Sequence, residues 1–261
     1  MSVGTLLSRA TGLIRVSVTL ASLGVGAPRG AAQDAKAAVE AFVARLSDVN
    51  VTDLVIVQDL TLYHPNGRHA QSTGEQRVLF KLPRRQRLEQ TVEGQREVRL
   101  AVGDRLFVRR PDGKVYESPA LPRGNARTDL LVPFRRSAAD LLTEWRALGV
   151  RDDVSHVVRV GGRPVTVIGA MPGDRDVPAV WLDAEYGVVR FVTRETLPTG
   201  PALLDLAFSE HRLLPGGFFF PYRQELFVGG KLLMLFAIRS VRVNTNLPDS
   251  LFDPDALRRE P

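Results

Sequence analysis

The sequence predicts an α+β protein dominated by one large, strongly curved antiparallel sheet. Three observations carry this. Short runs with an apolar period of two recur along most of the chain, separated by glycine, proline and asparagine turns. Two segments show helical spacing instead, and no internal repeat or low-complexity linker divides what lies between them.

The first helix is expected from Asp34 to Leu46, where Val39, Phe42, Val43 and Leu46 share a face and Asp34 can cap the first turn. The period then switches to two: Leu54, Ile56, Leu60 and Leu62 share one face of a strand ending at Pro65-Asn66-Gly67. Val78, Phe80 and Leu82 alternate with Arg77, Leu79 and Lys81 in the next strand, which stops at Pro83. Leu88 to Val92, Val98 to Val102 and Leu106 to Val108 continue an antiparallel meander. A loop containing Pro119, Pro122 and Pro133 leads to a second helix, with Ser137 and Asp140 as a capping box and Leu141, Leu142, Trp145 and Leu148 on one face; Gly149 ends it. Strands resume at Val154 to Val160, then Gly161-Gly162, Val165 to Gly169, Ala179 to Asp183, Val188 to Leu197 and Leu203 to His211. The total is eleven to thirteen strands and two or three helices. Phe218 to Phe220, and Leu232 to Ile238 after Lys231, put apolar side chains on both faces of their strands. Such strands call for a helix over the far face, an internal apolar pocket, or both.

The chain has 261 residues, 44% hydrophobic and 25% charged, which suits a folded domain with a sizeable core. Its formal charge is +6 and all but four of its 35 basic residues are arginine. That modest excess does not require a polyanionic partner, and no interleaved aromatics accompany the arginines, so nucleic acid is not expected. The absence of cysteine excludes disulfides, zinc-thiolate and iron-sulfur sites and thiol catalysis. Arg9 and Arg15 precede an uncharged run from Val16 to Ala27, followed by Pro28, Arg29 and Gly30-Ala31-Ala32. This is the layout of a cleavable export signal over 1–32, and its apolar run is too short for a spanning helix. Cleavage removes Arg9, Arg15 and Arg29 and no acid, leaving a single domain of residues 33–261 with charge +3.

Motifs for phosphate binding, a nucleophile elbow or a zinc-protease helix are missing. His64, His69, His156 and His211 are scattered over separate strands and turns. Asp183 and Glu185 flank a tight turn and are expected to be solvated there. Asp174 and Asp176 lack the further acids that calcium requires. Arg84, Arg85 and Arg87, with Arg135 and Arg136, are expected on a solvated surface. No catalytic residue, metal or cofactor is therefore assigned.

Taken in order, several stretches resemble the LolA-type periplasmic lipoprotein carriers and their outer-membrane lipoprotein-sorting relatives. Phe80-Lys81-Leu82-Pro83 with Arg84 to Glu89 is similar to that family's aromatic-basic-proline segment, and Val102 to Val108 to its glycine hairpin. Val180 to Asp183, Phe220-Pro221-Tyr222-Arg223 and the terminal Val243-Asn244 to Leu251-Phe252-Asp253-Pro254 resemble the sorting relatives. The resemblance implies a half-open β-barrel with helices covering its concave face, and an apolar cavity that receives acyl chains. It departs from the family at Leu82. In the carriers an arginine commonly precedes this proline and helps hold the lid shut, whereas Lys81 should point the other way along the strand. A pocket that opens more readily is the expected consequence.

The expected function is a non-enzymatic, exported, periplasmic carrier of a lipid or lipoprotein acyl chain, working as a monomer with inner- and outer-membrane sorting proteins. The alternative is an envelope interaction or sensor module that reads a protein partner with the same sheet. Candidate lining residues from the sheet are Phe80, Leu82, Leu100, Trp181, Phe219, Met234, Phe236 and Ile238, and from the second helix Leu142 and Trp145.

Overall fold

The computed structural model describes residues 35–119, 130–131, 133–197 and 200–260. The expected export segment, the Asp34 cap and Pro122 lie outside these described residues.

Helix α1 (Ala35–Arg45) buries Ala35, Ala38, Val39 and Phe42, positions that fall on one stripe at helical spacing. Helix α2 (Ala138–Ala147) starts on a capping box: Ser137 Oγ accepts the Asp140 N–H at 3.1 Å, and the Asp140 carboxylate accepts the Ser137 N–H at 3.2 Å. It buries Leu141, Leu142 and Trp145 and stops before Gly149, whose φ of 89° suits glycine.

Thirteen antiparallel strands form a single open sheet: β1 (Asp53–Tyr63), β2 (Ala70–Lys81), β3 (Arg85–Val92), β4 (Gln95–Val102), β5 (Arg105–Arg109), β6 (Val115–Pro119), β7 (Ser155–Val160), β8 (Arg163–Ile168), β9 (Ala179–Asp183), β10 (Gly187–Leu197), β11 (Gly200–Leu214), β12 (Phe218–Val228) and β13 (Lys231–Val243). The spatial order is β6-β5-β4-β3-β2-β1-β13-β12-β11-β10-β9-β8-β7, so the first and last strands pair at the centre and β6 and β7 are the edges. The sheet is therefore two meanders joined along β1 and β13. Tight turns at Gly161-Gly162 and Gly229-Gly230 need two consecutive positive φ angles, which glycine adopts without a Cβ clash.

One face of the sheet shares a large apolar cluster with the helices. Leu54, Ile56 and Leu60 of β1, Val78 and Phe80 of β2, Phe208 of β11, Phe218 and Phe220 of β12 and Phe236 and Ile238 of β13 join Val39, Phe42, Leu131, Phe134, Leu142 and Trp145. This is the helix face.

The opposite face of β1–β5 is covered by the C-terminal segment, a 3-10 turn (Asp249–Phe252) and helix α3 (Pro254–Arg259). Val55, Leu79, Leu100 and Phe107 pack there against Leu247, Phe252 and Leu257. Arg87 stands in the same cross-strand row, between Leu79 and Leu100. Its side chain is 3% exposed and bonds Glu89, Glu260 and the Leu251 carbonyl. Buried Asp53 anchors the start of this segment by accepting from Thr245 N, Thr245 Oγ1 and Asn246 N at 2.7–2.9 Å. Burial raises its pKa, but these bonds outweigh burial and hold it below the usual carboxylate range.

Several expectations need correction. Residues 115–119 form a strand, not a loop; Pro119 is tolerated because β6 is an edge and ends there. Strand β2 begins at Ala70, since pairing with β1 overrides the polar, glycine-containing stretch before Val78. The 232–238 run is not buried on both faces: Phe236 and Ile238 are, whereas Leu233 and Leu235 are half-buried and Ala237 is exposed, the C-terminal segment having settled over β1–β5 instead. Arg84 is exposed as expected and Arg85 half-exposed, but Arg87 is buried, and Arg85 and Arg87 both have partners. Together with Lys81 they grip the C-terminal segment, Lys81 and Arg85 each reaching Asp249 at 2.6 Å. Lys81 does face away from the helix face, as strand alternation requires.

Candidate functional site

Where α1 and α2 meet the helix face, two clefts open between apolar side chains. One is a shallow cleft between Phe42, Leu130, Pro133, Leu141, Trp145, Leu148, Val188 and Phe191. The other, also shallow, lies between Phe42, Leu46, Leu130, Leu131, Pro133, Phe134, Val188, Phe218, Phe219 and Pro221. Phe42, Leu130, Pro133 and Val188 line both. The Phe42 ring would lie 3.0 Å from a Cβ on Gly187, whose φ of 80° also favours glycine, so this turn makes room for the ring. Phe134 meets Phe218 edge-on, with ring centres 4.8 Å apart.

Polar groups stand at the mouths. Arg136 pairs with Glu144 beside the first cleft. Glu185 faces the second and lies 3.5 Å from Arg45 of α1. A second long contact joins Thr193 Oγ1 on β10 to the Leu148 carbonyl at 3.4 Å. These contacts are weak by length, and the apolar contacts of the helical layer lack direction.

The structure brings together most of the predicted residues. Phe80, Leu142, Trp145, Phe236 and Ile238 are buried in the main cluster, and Leu82 and Met234 pack partly buried against it. Trp145 lines the first cleft and Phe219 the second. Leu100 stands apart on the opposite face, opposite Arg87 and Phe107 in the register. Trp181 also stands apart, against the small cluster of Val167, Ala170 and Ala179, with Arg190 4.6 Å above its ring. Both are displaced by alternation: their strands carry apolar residues on each face. Phe42, Phe134, Val188, Phe191 and Phe218 were not singled out by sequence. For Phe42 and Phe218 the signal was present, in the stripe of α1 and the Phe218–Phe220 run.

A polar stripe crosses the helix face. Gln58 Nε2 donates to Gln76 Oε1 at 2.6 Å, Gln76 Nε2 to Gln90 Oε1 at 3.0 Å, and Gln90 Nε2 to Glu97 Oε1 at 3.2 Å. These residues are directly opposed on β1 to β4, so the ladder fixes the register while satisfying buried amides.

Beside the second cleft, Asp183 is 2% exposed and not solvated as expected. It receives Arg163 at 2.7 and 3.0 Å and the N–H groups of Glu185 and Tyr186 at 2.7 and 2.9 Å. Burial raises its pKa, yet these donors prevail and hold it low. Arg163 lies 4.1 Å over the Tyr186 ring, and His211 stacks on Tyr186 with centres 4.5 Å apart. Burial pushes the His211 pKa down to about 4, against the attraction of Asp183 and with the repulsion of Arg163. Sequence alone left His211 as a scattered histidine. Among the described residues no group of three or more His, Asp or Glu is placed to hold a metal ion.

No family model matches the chain, and no curated protein matches it. Solved structures do. A domain described as an outer membrane lipoprotein-sorting protein, from Vibrio parahaemolyticus, superposes with a TM-score of 0.54 at 15% identity, over 86% of this chain and 100% of that one. A DUF1329 family protein from Desulfovibrio piger gives 0.55 at 13% identity, over 86% and 99%. A LolA superfamily protein from Nitrosomonas europaea gives 0.51 at 12% identity, over 83% and 98%. The fold is the open antiparallel sheet of these three structures.

Proposed function

We propose that this chain is an exported carrier that shelters a lipid or lipoprotein acyl chain between its helices, which cover the concave face of the half-open barrel, and the sheet. The observation that carries the reading is the apolar layer where α1, α2 and Phe134 meet the helix face, with two shallow clefts at its surface that the helices would widen to admit a chain. Each methylene moved from water into such a layer contributes about 0.8 kcal/mol, so a dozen contribute roughly 10 kcal/mol before ordering costs. That is ample for holding a lipid out of water.

The linings support a binding role over an enzymatic one. Among the described residues the clefts are lined mainly by apolar side chains, with Arg136, Glu144, Glu185 and Tyr186 as their polar groups. Export rests on the sequence of residues 1–32, and N-terminal sequencing of protein from the periplasm should begin near Gln33. Sorting proteins of the two membranes are the expected donor and acceptor, with the carrier itself a monomer.

The test is titration with a fluorescent long-chain fatty acid. Wild type should bind it, and Phe236→Asp, which puts a charge into the main cluster, should abolish binding while circular dichroism stays native. A folded Phe236→Asp variant with unchanged affinity places the ligand elsewhere. A second reading, an interaction module, is favoured by the edge strand β7, where Val157 and Val160 are each 48% exposed. A lipid that co-purifies decides for the carrier.

A further inference from the structure

The ladder between β12 and β13 is incomplete. It runs from Val228 opposite Lys231 to Arg223 opposite Ala237 and stops there. Beyond that level β12 continues to pair with β11, as far as Leu214 opposite Phe218, and β13 with β1, as far as Leu54 opposite Val243. Two neighbouring strands of one sheet therefore part company over their last five or six residues, counted from their ends at Phe218 and Val243.

Three irregularities fall at the level of the parting. The register of β13 on β1 slips by one residue around Arg239, since Gln58 faces Ile238 but Val57 faces Ser240. Pro221 of β12 has no N–H to give a ladder. Glu210 of β11 lies between the pairs Ser209 with Arg223 and His211 with Pro221, and its φ is 56°. The bulge bends β13 and Pro221 offers no N–H, and both fall where the β12–β13 ladder stops, while the β11–β12 pairing runs on through Glu210 in register.

The walls of the split are apolar. Phe218, Phe220 and Tyr222 on one side and Val241 and Val243 on the other all belong to the main cluster, and the last three residues are half-buried. The second cleft reaches Phe218 and Pro221, so split and cleft share a wall. Across β12 from the split, the exposed Arg212 of β11, opposite Phe220, holds its guanidinium 4.0 Å over the ring of the wall residue Tyr222. Apolar walls under a cation and a backbone edge match a ligand with an alkyl chain and an anionic head.

We propose that the split between β12 and β13 is the door through which the acyl chain reaches the helix face, its anionic head resting at Arg212. This rests on the carrier reading and adds the route and the charge of the cargo. The head is the shared chemistry of a carboxylate and a phosphate.

The chain has no cysteine, so Tyr222→Cys with Val241→Cys places one thiol on each wall. A bis-thiosulfonate reagent bridges them and reductant releases them. The probe is a dansylated fatty acid. Bridging should slow its uptake at least about tenfold, and reductant should restore the wild-type rate. Tyr222→Cys with Val243→Cys replaces the first pair if that pair does not fold. A control bridge between Thr91→Cys and Arg96→Cys, opposed and exposed on the β3–β4 hairpin away from both clefts, should change the rate by less than about twofold. Uptake that the Tyr222–Val241 bridge leaves unchanged, or that both bridges slow equally, overturns the door and leaves the carrier reading intact, whereas wild type that takes up no probe sinks both. Arg212→Gln should weaken the fatty acid and spare the matching fatty alcohol; equal loss for both overturns the headgroup assignment, and a preference for lauryl phosphate over the acid identifies the phosphate as the natural head.

Discussion

Phe42→Ala is the perturbation that probes the helical layer most sharply. Phe42 is buried, sits on α1 and borders both clefts, so removing its ring joins them into one space. Truncating a buried phenylalanine costs about 3–5 kcal/mol when the cavity stays empty. Here the clefts are open at their mouths and water can enter, which sets the expectation at the lower end, about 3 kcal/mol. For a domain of this size each kcal/mol lowers Tm by roughly 2–4 °C, so a fall of about 6–12 °C follows. A ligand that fills the joined space returns stability by mass action, about 2.7 kcal/mol at a hundredfold excess over Kd. Thermal melts of wild type and variant, with and without a saturating fatty acid, should show the variant losing Tm alone and regaining most of it with ligand. A variant whose Tm is unchanged, or a folded variant that binds the fatty acid more weakly than wild type, would refute the reasoning: the ring would then be a wall of the ligand site and not a plug between its halves.

The remaining expectations concern the rest of the sheet. Arg87→Met should cost about 2–3 kcal/mol in urea unfolding, because Glu89 and Glu260 lose their partner yet are exposed enough to rehydrate; a cost near zero would mean that the C-terminal segment is held by its apolar residues and by Lys81, Arg85 and Asp53 without help from Arg87. His211 has a folded-state pKa near 4 against an ordinary 6.5, so the unfolded chain binds the extra proton between those values and stability should fall as pH drops from 6.5 to 4. His211→Phe should flatten that part of the stability profile, and an unchanged slope would assign it to other groups. Leu82 follows β2, packs on the main cluster and donates its N–H to the Thr52 carbonyl at 3.0 Å; Leu82→Arg should slow probe association, by about one to a few kcal/mol if charge-assisted bonds form across the mouth. Equal rates for the two proteins would place residue 82 off the ligand's path.

The two helices and most strands were legible because each is announced locally. Ser137 and Asp140 mark the start of α2 by their spacing, and Gly161-Gly162 marks a hairpin whatever surrounds it. The central pairing of β1 with β13 left no such mark, since it joins residues far apart in the chain. Leu100 and Trp181 show the limit for the site. Hydrophobicity told that they pack against apolar neighbours, Leu100 buried and Trp181 half-buried, but which face each occupied depended on what had settled there, and the C-terminal segment covering Leu100 carries too short an apolar pattern to foretell its docking. Lys81, by contrast, was placed correctly by alternation with Phe80. Arg87 was opaque for the opposite reason: an arginine in a strand reads as solvated until its partners, Glu89 and Glu260, are known.

The central claim is that the layer between helices and sheet holds an acyl chain. Mass spectrometry of an organic extract from natively purified protein tests it most directly. The account predicts an acyl lipid recovered at close to one per chain, and lost from Phe236→Asp purified in the same way. An extract free of acyl lipid, from protein that also fails to take up a fatty acid, would contradict it.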